Sequence, residues 1–225
     1  MSTTQVQLCK SYLREARDSV SVYECMEIYD KWAATYNDEV GDEAQDYVAP
    51  ELVAQAVLRF SKNSTKGVIL DAGCGTGLVG QALVTAGATA IDGLDFSPAM
   101  LTMAKKTGVY RKLIHGDLTC RINVTDEAYN IVVCVGTFTL GHVGSHPALR
   151  EFVRITRTNG IVAATILQEV WVPGGFQAEV EALAAEGQVD VVFQELIDYV
   201  KGHGDKAMLV ILKKTTRAEK GRLAI

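Results

Sequence analysis

Along this chain, short runs that are apolar throughout alternate with segments whose apolar residues recur at helical spacing, and polar or glycine-rich turns separate the two. Buried strands alternating with one-faced helices predict an α/β fold with a doubly wound, mostly parallel sheet. The first strand covers 68–70 and ends at Asp71; a helix follows at 78–86. A second strand, 90–94, ends at Asp95. Ser97 and Pro98 then form an N-cap and first-turn pair for a helix over 99–107, which Gly108 stops. The third strand is short, 112–114, and leads into His115-Gly116-Asp117-Leu118. The fourth, 131–135, is apolar throughout and therefore central. A helix over 147–156 turns Leu149, Val153 and Thr156 inward and closes at Asn159-Gly160; the fifth strand is 161–167. A helix over 176–185 ends at Glu186-Gly187, and 189–200 with 207–213 flank a glycine-containing turn as an antiparallel pair.

Ahead of the first strand, helices are expected at 9–19, 22–36 and 50–61, the last with an apolar face of Leu52, Val53, Ala56, Val57 and Phe60. No repeat or low-complexity linker interrupts the chain. The expectation is one domain over 1–225: a helical lid (1–61), a core (66–214) and a frayed tail (215–225).

Charge narrows the function classes. Lys+Arg of 22 against Asp+Glu of 27 gives a net charge of −5, and no basic run exceeds a pair, which disfavours binding to nucleic acid through phosphates. The N-terminus is polar where a signal peptide needs an apolar core, and no stretch of 18 uncharged apolar residues occurs. A cytoplasmic protein without membrane attachment is expected. The five cysteines are scattered without C-x-x-C spacing and read as reduced thiols, with neither a disulfide framework nor a metal site.

The candidate chemistry starts in VILDAGCGTGLVG, residues 68–80. The glycines let the backbone turn tightly beneath a ligand, with the N-terminus of the next helix facing it. Gly75, Gly77 and Gly80 match the dinucleotide pattern G-x-G-x-x-G, which needs an anionic pyrophosphate. Asp71 argues the other way, since a carboxylate at the strand end suits a cationic ligand end. Asp95, 22 residues beyond Gly73, is placed to take both hydroxyls of a ribose, which does not choose between the two ligand classes. Phe96 beside it suits packing on an adenine ring or in the core.

Asp71, Gly73, Gly75 and Gly77 fill the acid-G-x-G-x-G motif, and with them the chain resembles the class I S-adenosylmethionine-dependent methyltransferases. YDKWAATYND, DYVAPELV, LDFSPAML and VGTFTLGHV extend the resemblance over most of 26–170, toward the methyltransferase-like proteins of the Williams–Beuren-region type. The resemblance implies a seven-stranded Rossmann-like sheet with an antiparallel last strand and S-adenosyl-L-methionine as cofactor. It implies a cofactor site drawn from Asp71, Gly73, Cys74, Gly75, Gly77, Asp95, Phe96, Asp117, Leu118 and Val135. Asp117 would accept from the adenine amino group, although an Asp in a Gly-Asp turn also serves the turn itself. Tyr29, Trp32 and Tyr36, at i, i+3 and i+7 of one helix, would close over the methionine end, where aromatic faces attract a cation; as a plain core stripe they need no ligand. His142, in the loop after the fourth strand, is the candidate general base. Asn130 stands where many members carry Asp.

The reading is a methyltransferase acting on O, N or S of a small molecule. Two alternatives stay open: a cofactor-binding module without transfer, and an NAD-dependent oxidoreductase. The acceptor and the oligomeric state are not legible in the chain.

Overall fold

The computed structural model describes residues 46–61, 66–140 and 143–216, together with Tyr12, Glu15, Ser19, Glu24, Glu27, Ile28 and 31–33. Described elements are labelled in chain order. Helix α1 (Ala49–Phe60) precedes β1 (Ile69–Ala72), and the chain continues through α2 (Leu78–Thr85), β2 (Ile91–Asp95), α3 (Pro98–Thr107) and β3 (Tyr110–His115). After a loop come β4 (Tyr129–Phe138), α4 (Ala148–Ile155), β5 (Thr156–Leu167), α5 (Gln168–Trp171) and α6 (Phe176–Ala185). Strand β6 (Val189–Val200), a 3₁₀ turn (Lys201–His203) and β7 (Asp205–Lys214) complete the described fold.

The strands form one seven-stranded sheet in the order β3-β2-β1-β4-β5-β7-β6. β7 runs antiparallel to both of its neighbours, and the other described pairings are parallel. This is the mostly parallel sheet with a reversed last strand expected above. The order reverses between β1 and β4, which opens a crevice outside the carboxyl ends of those strands.

Local rules explain most of the boundaries. Ser97 caps α3 by accepting from the Met100 N–H at 3.1 Å, and Gly108 ends it with a φ of 70°. β1 is buried at all four positions, as a strand covered on both faces must be. Four strands begin earlier than their apolar runs suggest, β4 at Tyr129 and β7 at Asp205 by two residues each. β3 starts at Tyr110, two residues ahead of the expected start at Lys112, because it is an edge strand whose polar residues face water. β5 starts at Thr156, with Asn159 at a φ of 65° inside it, where the polar run had suggested a helix end. Asn130 lies within β4 and its Oδ1 accepts from the Val68 N–H at 3.0 Å, a bond open to a carboxylate as well.

The core spans the sheet and its helices, from Val53 and Val57 of α1 to Phe152 of α4 and Phe176 of α6. Phe138 joins the last two, its ring 6.0 Å from that of Phe152 and 4.8 Å from that of Phe176. Burial of such aromatic pairs is the largest apolar contribution available per side chain. Among the described residues no helix is long and apolar enough to cross a membrane, and no group of three or more His, Cys, Asp and Glu could hold a metal ion.

Candidate active site

The floor of the site is the turn after β1. The N–H groups of Gly73 and Cys74 both donate to the Leu94 carbonyl, at 2.7 and 3.0 Å, which ties the turn to the end of β2. Gly73 has a φ of 77°, and a Cβ there would lie 2.1 Å from Thr137 Oγ1, so β4 leaves no room for a side chain. Gly75 has a φ of 51°, and a Cβ there would meet nothing within 4 Å. One glycine admits the neighbouring strand and the other keeps the floor open.

Asp95 ends β2 with its carboxylate on the cavity wall. Its Oδ2 accepts from the Gly75 N–H at 2.8 Å and its Oδ1 from the Ser97 N–H at 2.9 Å. Burial raises this carboxyl above the ordinary range, while the amides of Ser97, Gly75 and Phe96 and the nearby His115 pull it back. A carboxylate has about four acceptor positions, so the amides that bond Asp95 still leave it capacity to accept from a hydroxyl. Phe96 forms the adjoining wall, stacked on His115 with ring centroids 5.6 Å apart.

After β3, Asp117 does two things. Its Oδ1 accepts from both the N–H and the hydroxyl of Thr119, each at 2.7 Å, which makes the turn. The residue also lines the cavity beside Leu118 and Thr119. Cys74 and Val135 complete the predicted set. Burial, with Asp71 and Asp95 adding, pushes the Cys74 thiol far up, so it is a neutral wall group and not a nucleophile.

Eight of the expected residues, Gly73, Cys74, Gly75, Asp95, Phe96, Asp117, Leu118 and Val135, thus surround one open cavity of about 1040 Å³, counted to include the space continuous with solvent. Three do not line it. Asp71, expected at a cationic ligand end, is completely buried beneath the turn and accepts from the Tyr110 hydroxyl at 2.7 Å. Gly77 sits at the start of α2 against Thr107 and Tyr110. Trp32 is 1% exposed and stacks on Tyr12 with centroids 6.1 Å apart, a packing contact. Tyr29, Tyr36 and His142 lie outside the described residues.

Further wall residues come from the segment GTFTLGHV, and Tyr47 was not singled out from the sequence. Tyr47, Thr137, Thr139 and Val143 line the side of the cavity where β4 ends. A Cβ at Gly136 would lie 2.9 Å from the Tyr47 hydroxyl and 3.3 Å from that of Tyr199. These hydroxyls are 3.5 Å apart and the rings meet edge-on at 5.1 Å. Main-chain bonds from Val48 N–H to Tyr199 O and from Lys201 N–H to Asp46 O strap the segment before α1 to the end of β6. The only signal for Tyr47 was its place in DYVAPELV; its partner is 152 residues away.

Known proteins resemble this chain over the segment that builds the cavity. Residues 69–160, which run from β1 into β5 and carry the turn and both cavity acids, match the methyltransferase domain family. The human methyltransferase-like protein 27 is 29% identical over 158 residues, 69% of this chain and 63% of its own length. A malonyl-[acyl-carrier protein] O-methyltransferase of Yersinia pestis is 32% identical over 116 residues, 50% of this chain and 41% of its own length. The chain thus carries, over 69–160, a segment similar to a methyltransferase domain. Its fold agrees with that of a solved S-adenosylmethionine-dependent methyltransferase of Methanococcus maripaludis, described as putative, with a TM-score of 0.61 and 20% identity over 84% of this chain and 94% of that one. The matched segments thus span less than two thirds of the length of both curated methyltransferases.

The methyltransferase cofactor fits the residues present. It needs a carboxylate with acceptor capacity for a ribose, an open glycine floor and apolar walls for a flat ring. Asp95, Gly75 and the group Phe96, Met100 and Leu118 supply these around the cavity.

Proposed function

We propose that this protein binds S-adenosylmethionine in the cavity above the glycine turn and transfers its methyl group to an oxygen, nitrogen or sulfur of a small molecule. The observation that carries the reading is the convergence of Asp95, the open floor at Gly75 and Asp117 on one cavity at the carboxyl ends of adjacent strands. When bound, the cofactor supplies a sulfonium methyl, already a strong electrophile. The protein's own part is chiefly to position. Asp95 holds the ribose hydroxyls, Asp117 accepts from the adenine amino group, and the turn after β1 supports the methionine end.

The side of the cavity lined by Tyr47, Thr137, Thr139 and Val143 then receives the acceptor, and alignment of its nucleophile supplies most of the rate. The net charge of −5 supports a small acceptor over nucleic acid, and a cytoplasmic setting is part of the same reading. Kinship with the Williams–Beuren-region type rests on YDKWAATYND and DYVAPELV and is supported by the human match. His142 is the proposed general base for a hydroxyl acceptor. In that role, His142→Ala leaves cofactor affinity unchanged and lowers turnover by about 10²-fold or more.

Calorimetric titration with S-adenosylmethionine, S-adenosylhomocysteine and NAD tests the proposal, followed by an acceptor screen that reads release of S-adenosylhomocysteine. Binding of the first two without NAD, and turnover on at least one acceptor, is expected. Binding of NAD with no response to S-adenosylmethionine overturns the reading, and cofactor binding with no acceptor turned over reduces it to a binding module.

A further inference from the structure

Tyr110 opens the edge strand β3, yet its ring reaches beneath the cofactor turn. Three glycines make the slot. A Cβ at Gly80 would lie 2.5 Å from the Tyr110 hydroxyl, one at Gly93 3.1 Å from Cδ1, and one at Gly77 3.2 Å from Cε2. At the end of the slot the hydroxyl donates to Asp71 Oδ2 at 2.7 Å. Asp71 is wholly buried, and its Oδ1 has no hydrogen bond. A buried carboxylate lacking a positive partner loses its charge unless hydrogen bonds hold it.

We propose that Tyr110 is a positioning residue for the cofactor: its hydroxyl keeps the Asp71 carboxylate ionised beneath the glycine turn, so the turn presents a negative potential to the cationic methionine end. This rests on the S-adenosylmethionine reading above. It assigns Asp71 an effect through the turn, since the side chain does not line the cavity.

Its surroundings make Asp71 responsive near neutral pH. Burial, with the Asp95 charge adding, pushes its carboxyl up to about 7, while the Tyr110 hydroxyl and the Gly80 amide pull it down. The titratable groups facing it are Asp95 of β2, Cys74 of the turn, Cys134 of β4 and Tyr110 itself. Cys134 is pushed up to about 12, and Cys74 and Tyr110 are pushed far above their ordinary values. All three therefore keep their protons, and Tyr110 stays a donor. Without that donor Asp71 takes up its proton at higher pH, and the charge under the turn is lost at neutrality.

The test is binding of S-adenosylhomocysteine, whose ammonium group is cationic, measured by calorimetry between about pH 5.5 and about pH 8.5. Wild type, Tyr110→Phe and Asp71→Asn are compared. In wild type, affinity rises with pH through the neutral range. In Tyr110→Phe, which keeps the ring in its slot, the rise moves up by about one pH unit or more, so affinity near pH 7 drops about threefold to tenfold and recovers at the alkaline end. Asp71→Asn gives a flat profile. A purely structural role for Tyr110 lowers affinity equally at every pH; that outcome, or superimposable profiles, overturns the proposal. Should Tyr110→Phe fail to fold, a wild-type profile as flat as that of Asp71→Asn overturns it instead. No binding by wild type at any pH removes the cofactor reading itself, and the proposal with it.

Discussion

The N–H of Gly75 donates to Asp95 Oδ2 at 2.8 Å, so the acid that ends β2 also holds the turn that follows β1. Asp95 is therefore both a ribose ligand in the proposed function and a brace for the cofactor floor. Asp95→Ala removes both and is expected to weaken S-adenosylhomocysteine binding by about 1.5–3 kcal/mol, the scale of a lost charged hydrogen bond. Calorimetry checks the loss; circular dichroism shows that the fold is kept. Affinity within twofold of wild type would remove Asp95 from the site.

Gly73→Ala sets a methyl group 2.1 Å from Thr137 Oγ1 at a φ of 77°. Two costs are separable here. The clash belongs to Thr137, and the left-handed backbone costs about 1–2 kcal/mol on its own. Gly73→Ala should lose cofactor affinity and thermal stability, and adding Thr137→Ala should restore part of each. A double variant no better than the single one would show that the backbone cost dominates.

Tyr47 and Tyr199 meet over Gly136, and Tyr47 lines the side of the cavity proposed above to receive the acceptor. Tyr47→Phe is expected to keep S-adenosylhomocysteine affinity within about twofold while raising the acceptor KM or lowering kcat. The comparison needs the acceptor found in the screen above. A matching loss of cofactor affinity would move Tyr47 to the cofactor's half of the cavity.

Glu151 gives a pH dependence of stability. Its Oε2 accepts from the Ile122 N–H at 2.8 Å, and Arg154, which also bonds the carbonyls of Ile122 and Val124, pairs with both carboxylate oxygens. Arg154 holds the Glu151 carboxyl below its ordinary value of 4.5. The stabilisation from a depressed carboxyl is fully present above that ordinary value and is lost as pH falls through the folded one. The unfolding temperature should therefore fall below pH 4.5, and Glu151→Gln should start lower at neutral pH with a weaker acid dependence. Calorimetric unfolding across that range checks both.

The parts of the fold written in local patterns were legible. The Ser97 cap, the stop at Gly108 and the apolar run of β1 needed only neighbouring residues. The cavity acids were legible for a related reason, since a polar residue closing an apolar strand lies where ligands of parallel sheets bind. What escaped depends on distant pairing. Tyr47 reaches the cavity through bonds to residues some 150 positions away, and Asp71 faces Tyr110 because β2 separates β1 from β3. No spacing rule shows that a strand-end carboxylate points under its turn and away from the ligand. The start of β5 was missed because its polar residues resemble a loop when the partner strands are unseen.

The slot around Tyr110 has an evolutionary consequence. Gly80 completes the spacing of a dinucleotide fingerprint, but here it makes room for a phenol ring from another strand. In relatives with a small residue in place of Tyr110, alanine at position 80 would have only Val109 to displace, whereas position 93 stays closed by Leu113 and Cys74. Substitutions at positions 80 and 110 should therefore arise together. The third glycine of the pattern thus records a side chain 30 residues downstream, and its place in the motif is no evidence of a ligand contact.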